Sequence, residues 1–91
     1  MNPPNPFKLG ELVATPALME SVHPEDALQC LARHAAADWG DVCEEDRQAN
    51  ESALEDGLRL FSVYHDRTGV KFWIITEADR SSTCLLLPSD Y

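Results

Sequence analysis

Phe72-Trp73-Ile74-Ile75 places four large apolar residues in a row, and this short run limits the fold more than any other feature of the chain. In a β-strand consecutive side chains point to opposite faces, so Phe72 and Ile74 share one face and Trp73 and Ile75 the other. A sheet with one wet face alternates apolar with polar residues, whereas this strand is apolar on both sides and needs cover on both. β segments flank it. Leu58 to His65 reads as a strand, Asp66-Arg67-Thr68-Gly69 as a four-residue turn, and Val70 to Glu77 as the strand holding the apolar run. Ala78 to Ser82 then links to a third strand, Thr83 to Leu87, which Pro88 ends. The expectation is an α+β fold with an antiparallel meander of three to four strands, the fourth being Leu9 to Ala14 at an edge. The Trp73 face is covered either by the N-terminal segment or by a second copy of the chain, as a homodimer through that face.

The first half supplies two to three helices to pack on this sheet. Thr15-Pro16 reads as an N-cap followed by the first residue of a short helix, Pro16 to Ser21. Pro24 opens a longer one, with Glu25 and Asp26 in its first turn and Arg33 and His34 in its last, matching the helix dipole at both ends. Its apolar stripe is Leu28, Leu31, Ala32 and Ala35. Asp41 with Glu44 resembles a capping box, which starts a third helix at about Val42 and runs it to Asp56, with Gly57 as the C′ residue. The apolar edge of this helix is narrow, so it should lie on the surface. Residues 1–7, with three prolines in Met1-Asn2-Pro3-Pro4-Asn5-Pro6, read as an extended N-terminal arm, and 8–91 as a single domain.

Charge decides which functions are excluded. The formal charge is −9, which argues against direct nucleic-acid binding and against docking on an anionic membrane surface. No stretch approaches the ~18 apolar residues of a membrane span, and the first residues lack the pattern of a secretory signal. The three cysteines, Cys30, Cys43 and Cys84, form no CxxC pair and read as small buried hydrophobes of a cytoplasmic protein. His23, His34 and His65 show no ligand spacing with them, so neither a metal nor another cofactor is expected.

Two polar clusters are the candidate sites. Between Asp38 and Asp56 lie eight acids, Asp38, Asp41, Glu44, Glu45, Asp46, Glu51, Glu55 and Asp56, against Arg47 alone, so −7 of the −9 falls in nineteen residues. Such a face suits a basic surface on a protein partner, or simply keeps a small domain soluble. Trp39, inside the Asp38-Trp39-Gly40-Asp41 loop, either anchors that partner or folds back to fill the gap between two helices. Glu77, Asp79 and Arg80 form the second cluster, in a turn where such residues also occur without function. No catalytic motif singles out any residue, and the catalytic set is empty. Asn2-Pro3-Pro4-Asn5 lacks the aromatic fourth residue of an adenine-methyltransferase box, and 91 residues leave no room for a cofactor domain.

Asp38-Trp39-Gly40-Asp41 with Glu44-Glu45-Asp46, Phe72-Trp73-Ile74-Ile75-Thr76-Glu77-Ala78-Asp79-Arg80-Ser81, Leu85-Leu86-Leu87-Pro88 and Val13-Ala14-Thr15-Pro16 together resemble a family of small bacterial proteins. That family is typical of plasmids, phages and other mobile elements, and some members carry labels such as plasmid-related protein or restriction subunit M. The resemblance implies mobile DNA and its conflict with host defence. The expected function is a small acidic protein that binds a basic surface of a partner, with anti-restriction or anti-CRISPR activity as one case. The alternative is a small enzyme or ligand-binding domain that uses the Asp38/Asp41 loop and the Glu77-Asp79-Arg80 turn.

Overall fold

The computed structural model describes residues 6–91 and has an α+β architecture. Four strands, β1 (Glu11–Ala14), β2 (Leu60–His65), β3 (Lys71–Thr76) and β4 (Ser82–Leu86), form one sheet in the order β1-β4-β3-β2. The meander β2-β3-β4 is antiparallel as expected, but β1 joins the edge parallel to β4, which makes the sheet mixed. The helices are α1 (Pro16–Ser21), α2 (Pro24–Ala35) and α3 (Glu44–Asp56), and a 3-10 turn, Pro88–Asp90, closes the chain.

The local signals place α1 and α2 correctly. The Thr15 hydroxyl accepts from the Leu18 amide, and the His23 ring nitrogen accepts from the Glu25 amide. The third helix starts later than its sequence suggests. Cys43 is its N-cap and makes no side-chain cap bond, while the Asp41 carboxylate turns away to His65 Nδ1 at 2.9 Å. The expected Asp41–Glu44 capping box does not form, because Asp41 is drawn to the β2 edge: its amide donates to Val63 O. Gly57 does end the helix, in the left-handed conformation at φ 67.

One face of the sheet carries the main core. Tyr64, Phe72, Ile74 and Leu85 pack against Leu18, Val22 and Cys30. The buried stripe of α2 is rotated from the expected one. Cys30, His34 and Ala35 point inward with Ala27 and Leu31 beside them, while Leu28 is 68% exposed. His34 causes the difference, because it lies inside the core with polar partners rather than at the solvated end of the helix.

Phe72 and Ile74 do alternate with Trp73 and Ile75 across the sheet. Among the described residues the N-terminal segment does not cross the Trp73 face, because Glu11–Ala14 is used as edge strand β1. Instead Trp73 is flanked by Phe61 and by the C-terminal Tyr91, ring centroids 5.1 and 5.8 Å away. Most of the proposed N-terminal arm lies outside the described residues. Phe7 belongs to the domain, stacked on Trp39 at 6.1 Å. Cys43 is exposed rather than buried; Cys30 is buried, Cys84 is half-buried, and all three are free thiols. No helix is long and apolar enough to cross a membrane.

The outer edge of β2 is closed by side chain and loop. Asn50 of α3 accepts from the Phe61 amide at 3.0 Å and donates to the Phe61 carbonyl at 2.7 Å, mimicking a neighbouring strand. Gly40 forms a parallel bridge with Val63. Its φ of 73 and the crowding of its α-carbon against Val63 O and the Tyr64 ring leave no room for a β-carbon. Asn50→Ala would strip both bonds from a buried strand edge and should cost about 2 kcal/mol. A lowered urea midpoint with unchanged m-value would report it.

Candidate functional site

The acidic face is built on α3. Asn50 and Ala53 are buried and Leu54 half-buried, and these residues fix the helix to β2 and to the Trp39 cluster. The rest of its length is exposed, including Glu44, Glu45, Asp46, Glu51, Glu55 and Asp56. Two of these acids have structural work. Glu44 accepts from Arg47 and Gln48, which hold its carboxyl down at about 2, and Glu51 accepts a long bond of 3.4 Å from the Trp39 indole. Glu45, Asp46, Glu55 and Asp56 have no cationic partner among the described residues.

Trp39 is 3% exposed and packs with Ala53 and Leu60, edge-on to His34 and stacked on Phe7. It fills the gap between α2 and α3, so it is a core residue rather than part of a partner-binding surface. Asp38 is held by a bidentate pair with Arg33 at 2.9 and 3.2 Å and accepts from the Gly40 amide, and the Arg33 pairing lowers its pKa. Its backbone carbonyl accepts the Tyr64 hydroxyl. The Asp38/Asp41 loop is thus organised by its own neighbours.

The second cluster is equally self-contained. Glu77 accepts from Arg59 at 3.3 Å, and Asp79 accepts from the Ser81 amide. Arg80 is a clamp: its guanidinium donates to the carbonyls of Ala53, Leu58, Glu77 and Ala78. A cation on the last carbonyls of α3 is favourable for the helix dipole. The carboxylates of Asp38, Asp41, Glu77 and Asp79 therefore engage separate partners, Arg80 meets Glu77 only at its backbone carbonyl, and none of the five lines either of the two surface clefts of about 380 and 260 Å³.

Sequence reading missed a buried polar chain. Thr83 Oγ1 donates to Leu9 O at 2.7 Å, so it must accept from Thr76 Oγ1, 2.8 Å away. Thr76 in turn accepts from His34 Nε2 at 2.8 Å, which leaves His34 Nδ1 bare to accept the Ser62 hydroxyl at 2.5 Å. This assigns the neutral Nε2–H tautomer. A serine hydroxyl on an imidazole is the pairing of an activated nucleophile. Here Ser62, His34, Thr76 and Thr83 are all fully buried, and the chain ties α2 to β2, β3 and β4. Burial alone pushes the His34 pKa down to about 4. Asp66 was also missed: its carboxylate organises the β2–β3 turn by accepting from Thr68 and Val70 and reaches back to the His23 amide. Comparison with family models, curated proteins and solved structures finds no match.

Proposed function

We propose that this chain is a non-catalytic interaction module whose exposed acidic α3 face docks on a basic surface of a protein partner in the cytoplasm. The observation that carries this reading is the isolation of α3: a narrow strip of Asn50, Ala53 and Leu54 holds it, and Glu45, Asp46, Glu55 and Asp56 are left unpaired in solvent. These carboxylates contribute no ion pair among the described residues, and like charges on one helix face oppose its formation slightly. A basic partner removes that repulsion. The enzyme or ligand-site alternative draws less support, since its residues are spread over separate structural bonds. The resemblance to mobile-element proteins makes a nucleic-acid-handling defence complex a fitting source of the basic surface, through anti-restriction or anti-CRISPR activity.

Affinity capture from a bacterial lysate at low salt, with mass spectrometry, tests the reading. A basic protein released as salt rises is the expected result, since screening shortens the reach of surface charge. Recovery of no basic partner at low salt would refute it.

A further inference from the structure

The two edges of the sheet are treated differently. The β2 edge is sealed by Asn50 and the Gly40 bridge, whereas the outer edge of β1 has no neighbour among the described residues. The Glu11 amide donates to the carbonyl of Ser81, just before β4, and the Thr15 amide to that of Leu85 in β4. In an extended strand alternate residues point their backbone groups the opposite way, so those of Leu12 and Ala14 face outward, with no backbone partner among the described residues. Beside this edge lies an apolar cleft of about 380 Å³ between β1, α1 and α2. Leu12, Val13, Met19 and Leu28, at 52, 43, 68 and 68% exposure, all line it and are most of the exposed large apolar side chains of the described residues.

We infer that this edge is a homodimer interface, in which β1 of one copy pairs antiparallel with β1 of a second about a two-fold axis at Val13. The register follows from the free backbone groups: Leu12 of each copy meets Ala14 of the other, and every outward amide and carbonyl of the pair finds a partner. The side chains agree. Leu12 and Ala14 lie on the helix-covered face, so each large Leu12 rests beside the small Ala14 of the other copy, at the mouth of its cleft. Isologous pairing demands this kind of self-complementarity. Charge permits it as well. The acidic segment, with −7 of the −9, packs at the β2 edge, so the two copies join at their weakly charged ends and keep their acidic faces outward. The interface is independent of the acidic docking face and differs from a dimer through Trp73.

Sedimentation equilibrium of the intact chain tests the assignment. The wild type should sediment with twice the chain mass. Leu12→Pro removes an outward amide but no β1–β4 bond, and should shift the protein to monomer with unchanged circular dichroism. Met19→Glu with Leu28→Glu touches only side chains that are already two-thirds exposed, so it probes the same face even if the proline variant fails to fold. Its dimer dissociation constant should rise about tenfold or more. A wild type that is monomeric overturns the inference. So does a dimer that persists in the folded glutamate variant, an outcome that would point to the Trp73 face instead.

Discussion

Trp39→Ala should remove a large share of the stability of this protein. The indole is buried among Phe7, His34, Ala53 and Leu60, and its loss leaves a cavity where α2, α3 and the sheet meet. Truncations of buried Trp or Phe to Ala cost about 3–5 kcal/mol. A 91-residue domain holds only roughly 5–14 kcal/mol in total. Urea unfolding followed by far-ultraviolet circular dichroism should show a midpoint lowered by roughly a fifth or more. An effect below about 1 kcal/mol would mean that the ring lies at the surface.

Acid should weaken the fold through His34 before it reaches the carboxylates. The imidazole ordinarily titrates near 6.5, and burial lowers it to about 4 in the folded state. The unfolded chain therefore takes up a proton at higher pH than the folded one, and stability is complete above about pH 6.5 and lost as pH falls toward 4. Among the described residues no charged group faces the ring to favour the imidazolium; Ser62, Thr76, Phe7 and Trp39 surround it. Between about pH 7.5 and pH 4.5 the loss should be roughly 2.5 kcal/mol, from 1.36 kcal/mol per unit of displaced pKa. Asp26, Asp38 and Asp66, whose pKa values are lowered, act with the same sign but at more acid pH, below the usual carboxylate range. His34→Gln should be less stable at neutral pH and nearly flat across this window. A wild type equally stable at both pH values would show that the imidazole is reached by water.

These two residues also mark where the sequence could be read and where it could not. Two-sided burial was visible in Phe72-Trp73-Ile74-Ile75, because alternation depends only on strand geometry. The starts of α1 and α2 were visible because prolines and caps act locally. The inward turn of His34 was not, since it depends on Ser62, 28 residues away, and Thr76, 42 residues away. The same applies to Asp41, read as a cap but held by His65 across the fold, and to Arg80, two of whose four carbonyl partners, Ala53 and Leu58, come from α3 and the segment after it. The parallel placement of β1 is a pairing between the two ends of the chain, and no local pattern encodes it. Of the candidate sites, the acidic face of α3 was legible, because exposed carboxylates need no partner to be recognised. The burial of Trp39 was one of the two readings its loop allowed, and the packing decides between them; its indole bond to Glu51 was visible only in the structure.

The acidic face can be tested without disturbing those structural acids. Glu45→Lys, Glu55→Lys and Asp56→Lys together spare Glu44 and Glu51, and because each reversal adds two charges they take the formal charge from −9 to −3. Two of the new lysines fall at the C-terminal end of α3, where the helix dipole favours cations, so the fold should hold. Titration calorimetry of wild type and triple variant against the captured basic partner is the direct measurement. The variant should bind about tenfold more weakly or worse at low salt, and wild-type binding itself should fade at roughly 1 M salt, where the screening length is about 3 Å. A folded triple variant that binds as tightly as the wild type would contradict docking through this face and leave the acids with no role beyond solubility.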